Sequence, residues 1–159
     1  MNLSPHFTLA EFTKSQTALR KGIDNTPPPA QVENLWRLCT DVLEPVRAAI
    51  RQKWPTATVR ITSGFRCVAL NKAVGGAPSS AHIDGRAGDI EVWVDGVEQD
   101  VLVVFEIVRH SGVPFDQLIQ ECGPTGWNHV AIASAGSAPR GELLAATGSP
   151  GKWKYRAVA

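Results

Sequence analysis

The segment Ser80–Asp89 constrains the fold more than any other part of the chain. It reads Ser-Ala-His-Ile-Asp-Gly-Arg-Ala-Gly-Asp, so His82 and Asp89 lie seven positions apart with two glycines between them. A continuous helix would hold their two Cα atoms about 10 Å apart, and an extended strand would hold them about 23 Å apart. Neither geometry brings both side chains to one point. A shared site therefore requires the segment to curl back on itself.

The residues in and after this segment favour such a curl. Gly85 and Gly88 tolerate backbone angles that other residues avoid, and the following run 90–94, Ile-Glu-Val-Trp-Val, is typical of a strand. Asp89 would then begin a rigid strand, and His82 would lie in the loop that leads into it. Donor atoms that share one zinc ion at roughly 2.0–2.2 Å lie about 3–3.5 Å from each other. An ordinary glycine turn, with both side chains facing solvent, also explains these ten residues.

A third ligand for a metal would come from a small set of histidines. The chain contains four of them, at positions 6, 82, 110 and 129. His129 lies in a second strand-like run, residues 127–132. His110 has a structural explanation, because a cation near the end of a helix is favourable. Two histidines and one carboxylate, with water in the fourth position, form a recognised catalytic zinc set, which makes His82, Asp89 and His129 the candidate ligands.

Four short motifs carry a resemblance to a known family. Ser-x-His-x-x-Gly-x-Ala-x-Asp spans residues 80–89, and Trp-x-His spans 127–129. Ser-Gly-Phe-Arg at 63–66 and Leu-Asn at 70–71 precede them. Together they resemble the zinc D-alanyl-D-alanine peptidases of family M15, which carry a Ser-Gly-Tyr-Arg element and a Leu-Asn pair at the corresponding places. The likeness is strongest to short phage-type members, and it extends from Leu3 to about Ile132.

The resemblance implies a fold, an activity and roles for several residues. The fold is the α+β domain shared by D-Ala-D-Ala peptidases and the signalling domain of hedgehog proteins. The activity is zinc-dependent cleavage of D-Ala-D-Ala or L-Ala-D-Glu bonds in peptidoglycan, as a phage endolysin performs it. Arg66 would line the site and hold substrate or developing negative charge, for which a forked guanidinium is suited. Ser80 would bind a substrate amide or orient a ligand.

Amide hydrolysis at zinc also needs a group that takes a proton from water and protonates the leaving amine. Many M15 enzymes place an acid three positions before the last histidine, where this chain has Gly126. Glu121 is the nearest acidic alternative, and the phage-type members resemble this chain in carrying a glutamate before Trp-x-His. A hairpin after strand 115–121 would bring Glu121 close to His129. Asp116, at the far end of the same strand, is the weaker candidate.

Composition limits the other classes of function. A chain of 159 residues most simply forms one domain, here 1–159 with a catalytic core at about 3–132. A net charge of +1 argues against a nucleic-acid surface, and no run reaches membrane-spanning length. Three cysteines indicate free thiols and a reducing compartment. The N-terminal residues lack the features of a secretory signal, so we expect a monomer made in the cytoplasm that reaches stem peptides of the cell wall by another route.

The remaining elements follow from periodicity and turn residues. In chain order we expect a capped helix from Thr8, a polar loop at 14–25, a core helix at 30–54 that Pro45 kinks or divides, a strand at 59–62, a helical turn at 70–74, a helix at 99–111, a loop at 133–150, and an edge strand or glycan-touching patch at 152–156. Together they predict an α+β fold with a small antiparallel sheet of about four or five strands and helices on one side.

A second class of function stays open at this point. The hedgehog relation shows that this kind of fold can keep a zinc site while it serves as a binding module. A non-catalytic protein of the cell wall or virion is therefore the alternative, and the glycine at position 126 favours it. Glu121 discriminates between the two, because a pure binding module has no need of a proton shuttle.

Overall fold

The computed structural model describes residues 1–149 and 151–159 of the chain. The helices are α1 (Leu9–Thr13), α2 (Gln16–Lys21), α3 (Pro29–Arg37), α4 (Glu44–Lys53), α5 (Val68–Ala73) and α6 (Val101–Arg109), with a π-helical segment, Leu38–Leu43, between α3 and α4. The strands are β1 (Thr58–Ser63), β2 (Ala87–Val94), β3 (Val97–Glu98), β4 (Gln117–Glu121), β5 (Trp127–Ala131), β6 (Glu142–Thr147) and β7 (Lys154–Ala157). No helix among the described residues is both long and apolar enough to cross a bilayer.

The strands form one mixed sheet, and the α+β prediction is confirmed. Their order is β1-β2-β5-β4-β6-β7, with the short β3 paired to β2. All neighbours are antiparallel except β4 and β6, which run parallel. The sheet differs in detail from the predicted antiparallel sheet of about four or five strands, because it has seven strands and one parallel pair. The stretch after residue 132 returns along the free edge of β4 and adds two strands there.

The predicted loop at 133–150 is only partly a loop. β6 lies within it, while β7 at the sheet edge confirms the edge strand predicted at 152–156; Pro150 lies outside the described residues. The sequence of β6, Glu-Leu-Leu-Ala-Ala-Thr, is poor in the β-branched and aromatic residues that mark strands. Its strand conformation comes from pairing with β4 on one side and β7 on the other, which local sequence does not reveal.

The helices near the N-terminus follow their capping residues. The Thr8 backbone N–H and hydroxyl both donate to the Glu11 carboxylate at 2.7 Å, which confirms the predicted capped helix. The loop predicted at 14–25 is wrong in part, because α2 lies inside it. Ser15 Oγ accepts the Ala18 N–H at 3.2 Å and the Ala18 side chain is buried, which stabilises a helix too short to show a periodic pattern.

The long helical region runs from α3 to α4 without a loop. Pro45 falls in the first turn of α4, where a missing N–H matters least, and the wider π-helical turn comes just before it. Its inward side chains are fully buried: Leu35, Leu38, Cys39, Val42, Val46 and Ile50. They pack in one core cluster with residues of α6 and with Ile90, Leu118 and Val130 of the sheet.

Alternation along the strands gives the sheet two different faces. Ile90, Leu118 and Val130 point towards the helices, so their sequence neighbours Asp89, Ile119 and His129 point to the opposite face. In the register, Asp89 pairs with His129, and His129 pairs with Ile119. The helices therefore anchor one face of the sheet, and the predicted ligands lie side by side on the other.

Candidate metal centre and active site

The loop between α5 and β2 carries His82 back over the open face of the sheet. A hydrogen bond from the Arg86 N–H to the Ala81 carbonyl at 2.9 Å closes a turn of this loop, and the Arg66 N–H, from the segment before α5, donates to the His82 carbonyl at 3.2 Å. Gly85 has a φ of +68°, and a Cβ there would lie 2.6 Å from the Gln31 carbonyl oxygen. Gly88, by contrast, lies inside β2. The curl predicted for this segment is present, and Gly85 makes it.

Three donor atoms converge where this loop meets the sheet. His82 Nε2 lies 3.2 Å from Asp89 Oδ1 and 3.1 Å from His129 Nδ1. His129 Nδ1 lies 2.9 Å from the same Asp89 oxygen. Among the described residues, this is the group of three histidine, cysteine or acidic side chains whose ligand atoms all lie within 4.8 Å of one another. The spacing is that of ligands around a single small cation.

The protonation of the three side chains also fits a metal. His82 is 2% exposed, and its Nδ1 lies 2.6 Å from the Gly64 carbonyl oxygen. Because a carbonyl oxygen can only accept a hydrogen bond, Nδ1 must carry the proton. Nε2 then keeps its lone pair for the centre. Burial lowers the pKa of His82 and keeps the ring neutral. Burial alone would raise the pKa of Asp89, but the two imidazoles hold it well below its usual range, so the carboxylate stays ionised.

Arg66 lies beside the centre and contacts the other oxygen of Asp89. Its Nη2 donates to Asp89 Oδ2 at 3.3 Å, and its Nε donates to Ser63 Oγ at 3.1 Å. Its Nη1 lies 3.5 Å from Asn71 Oδ1. The guanidinium therefore orients the Asp89 carboxylate, a role that sequence reasoning missed, and its contact with substrate stays a prediction. Ser63 and Asn71, which contact Arg66, and Gly64, which contacts His82, belong to the Ser-Gly-Phe-Arg and Leu-Asn motifs. These motifs are the sequence signal for the residues that support the ligands.

Glu121 ends β4 on the same face as the ligands. Glu121 pairs with Trp127 on β5, and it lies two positions after Ile119, which pairs with His129. Burial and, after it, the nearby Asp89 charge raise the pKa of Glu121, His129 lowers it, and the net result is a pKa of about 7. A carboxyl group whose pKa lies near neutrality can both accept and return a proton at physiological pH.

The structure also explains why no acid lies at position 126. A Cβ on Gly126 would overlap the Glu121 carbonyl oxygen, because the two strands turn tightly there. Asp116, the weaker candidate for the base, is bound by Arg140, whose Nη2 and Nε donate to its carboxylate at 2.7 and 3.1 Å. Arg140 therefore holds the pKa of Asp116 below its usual range. Of the acids near the centre, Glu121 has the environment of a proton shuttle.

These side chains line one cleft of about 950 Å³. All six predicted site residues contribute to its lining: Arg66, Ser80, His82, Asp89, Glu121 and His129. Ser80 is half-buried there, and its hydroxyl oxygen accepts the His82 N–H at 3.4 Å, so binding of substrate by Ser80 stays a prediction. Leu144 of β6, Tyr155 of β7 and Trp153, which precedes β7, also line the cleft, and sequence reasoning did not foresee them as part of the site.

Comparison with known proteins agrees with this geometry. The family model described as Peptidase M15 matches residues 5–130, which is more than half of the chain and includes all three candidate ligands. No curated protein sequence matches the chain. The family implies peptidase activity, and the three buried ligand atoms are a group that could bind its metal. The chain belongs to the peptidase M15 family.

Proposed function

We propose that this protein is a zinc-dependent peptidase that cuts peptide bonds in the stem peptides of bacterial peptidoglycan, and that it works as a phage endolysin. Three buried ligand atoms only 2.9–3.2 Å apart carry this proposal. Membership of the M15 family supports the peptidase activity. The likeness of the motifs to short phage-type members supports the endolysin role and the D-Ala-D-Ala or L-Ala-D-Glu bond.

The zinc ion would be held by His82 Nε2, Asp89 Oδ1 and His129 Nδ1. Zinc in a site of two histidines and one carboxylate lowers the pKa of water and polarises a carbonyl group. The Gly64 carbonyl fixes the tautomer of His82, and Arg66 fixes the Asp89 carboxylate. These contacts keep the three donors in place before a ligand arrives, so little ordering is needed on binding.

Glu121 would move the proton that peptide hydrolysis requires. Its carboxylate accepts a proton from the attacking water as the water oxygen bonds to the carbonyl carbon. It then gives that proton to the departing nitrogen as the C–N bond breaks, which leaves a carboxylate and an amine. In the zinc-free protein the pKa of Glu121 is raised to about 7, which supports its choice as the group that moves the proton. Arg66 and Ser80, which line the same cleft, would bind the peptide beside the reacting bond.

The alternative, a binding module with an idle site, is less well supported by the geometry. Gly126 favoured that alternative from the sequence, but the tight turn there leaves no room for any side chain. Glu121 instead supplies a carboxyl group on the ligand face of the next strand. A binding module gains nothing from a half-buried acid whose pKa lies near 7.

Mass spectrometry of peptidoglycan after incubation with the zinc-loaded protein tests the proposal. We expect soluble fragments whose new amino and carboxyl ends identify one bond in the stem peptide or cross-bridge. His129→Ala is the control, and it should release none. If the wild-type protein sediments with purified cell walls but releases no fragment from any peptidoglycan type, the binding-module alternative is correct.

A further inference from the structure

The C-terminal strands extend the active face of the sheet beyond the candidate base. Glu121 pairs with Ala146 on β6, and Ala146 pairs with Tyr155 on β7. In the neighbouring row, His129 pairs with Ile119, and Ile119 pairs with Leu144. Residues that pair across strands point to the same face. Two rows of side chains therefore lead from the metal ligands and Glu121 to the edge of the sheet.

The surface formed by these rows is apolar. Ile119 and Ala146 are almost fully buried, and Leu144 is half-buried beside them. Trp153 packs edge-to-face against Trp127, with the ring centroids 6.2 Å apart. We call the patch formed by Ile119, Leu144, Ala146 and Tyr155 the apolar platform. Leu144 and Tyr155 line the same cleft as the metal ligands.

The opposite side of the cleft is polar. There Arg66 lies between β1 and α5, Ser80 lies in the loop before β2, and Glu91 lies on β2 itself. A peptide bound across the metal centre would therefore meet charged and hydroxyl groups on one side and the apolar platform on the other. A charged side chain placed on that platform would lose hydration without gaining a partner, whereas an apolar side chain would gain contact area.

Tyr155 is placed as a contact residue rather than as a structural one. It is 52% exposed although it faces the cleft, so few core contacts depend on its ring. Its neighbours on β7, Lys154 and Arg156, point to the other face of the sheet, as alternation requires. Burial, together with the charges of Glu121 and Asp89, raises the pKa of the Tyr155 hydroxyl, in agreement with a position towards the centre.

From this placement we propose that the apolar platform, which β6 and β7 complete, is a specificity subsite that binds an uncharged, apolar side chain of the peptide residue on one side of the scissile bond. Leu144 is its floor and Tyr155 its rim. The subsite rests on the proposed peptidase function. Three of its four residues, Leu144, Ala146 and Tyr155, lie outside residues 5–130, the part of the chain that matches the family.

Steady-state kinetics on soluble stem peptides from digested peptidoglycan test the subsite. Tyr155→Ala should raise KM roughly fivefold with little change in kcat, the factor expected when about 40 Å² of apolar contact is lost. Leu144→Asn should lower kcat/KM at least about tenfold for the natural peptide. Arg156→Ala, on the same strand but the other face, is the matched control and should behave as wild type. Zinc content should be unchanged in all three variants.

Synthetic peptides sharpen the test once the cleaved bond is known. In one series the residue on each side of that bond is changed in turn to aspartate. We expect aspartate on one side of the bond, but not on the other, to abolish cleavage by wild type. In Tyr155→Ala the rates for the original peptide and that aspartate peptide should differ less than in wild type. Suppose that wild type is active and that Tyr155→Ala and Leu144→Asn have the same KM and kcat as Arg156→Ala. The subsite is then refuted, and the proposed peptidase function still stands. If wild type cleaves no stem peptide, the proposed function and the subsite are both refuted.

Discussion

Replacing Glu121 with glutamine should make the zinc-free protein more stable and the zinc-loaded protein much less active. Glutamine keeps nearly the same shape but cannot ionise or accept a proton at neutral pH. In the folded protein the pKa of Glu121 rises from its ordinary value of 4.5 to about 7. Ionising this carboxyl group near neutral pH therefore costs free energy in the native state that it does not cost in the unfolded chain.

The size of the stability effect follows from that pKa. A rise from 4.5 to about 7 corresponds to roughly 3 kcal/mol, since each tenfold change in proton affinity is about 1.4 kcal/mol. Below pH 4.5 the group is protonated in both states and costs nothing. As the pH rises towards 7 the unfolded chain ionises first, and the native state loses stability relative to it. Above pH 7 the whole penalty is present, and Glu121→Gln removes it.

Urea denaturation of zinc-free wild type and Glu121→Gln at pH 4 and pH 8 measures this effect. We expect the two proteins to agree at pH 4 and the variant to be more stable at pH 8 by about 3 kcal/mol. Glu98→Gln, an exposed glutamate on β3, is the matched control for loss of a surface carboxylate. With zinc restored, hydrolysis by Glu121→Gln should fall at least a hundredfold. A variant that is no more stable at pH 8 and fully active would refute both the environment and the role assigned to Glu121.

Three further outcomes are expected. Alanine at His82, Asp89 or His129 should reduce bound zinc, measured by atomic emission, from about one to less than about 0.1 per chain, and full occupancy in all three variants would contradict the assigned ligands. Gly126→Glu, which installs the acid that many M15 enzymes carry, should lower the Tm by about 5 °C or more because its side chain has no space; an unchanged Tm would mean that the turn is looser than described. Arg66→Lys should weaken zinc binding roughly 10- to 100-fold in a chelator competition, since one ammonium cannot replace three contacts of the guanidinium. Unaltered affinity would leave Arg66 with no part in orienting Asp89.

The candidate metal centre could be predicted from sequence because its parts are local and chemically specific. His82 and Asp89 lie in one short segment, and a single glycine turn at Gly85 brings them together. The third ligand was one of only four histidines, and it lay in a recognisable strand. In the antiparallel pairing of β2 with β5, the register then places Asp89 opposite His129. Most of the prediction therefore came from a few metal-ligating residue types that lie close together in the sequence.

The C-terminal half of the cleft could not be predicted in the same way. β6 has the sequence Glu-Leu-Leu-Ala-Ala-Thr, and alanine has no preference for strands. It becomes a strand because the edge of β4 offers unpaired backbone groups, and β7 then closes the new edge. Tyr155 reaches the active face only through this pairing. Its place in the cleft depends on contacts across three strands, and no pattern within residues 152–156 encodes them.

The two acids of the cleft show how the fold separates their chemical tasks. Asp89 and Glu121 face the same cleft, yet the pKa of one is lowered and the pKa of the other is raised. Asp89 lies between two imidazoles and accepts a hydrogen bond from Arg66, so it stays charged and can bind a cation. Glu121 lies on the next strand but one, in a more apolar setting beside Trp127 and Ala146. There the charge of Asp89 itself discourages ionisation. In the zinc-free protein the Asp89 charge thus adds to burial in raising the pKa of Glu121, so weakening that charge should lower this pKa.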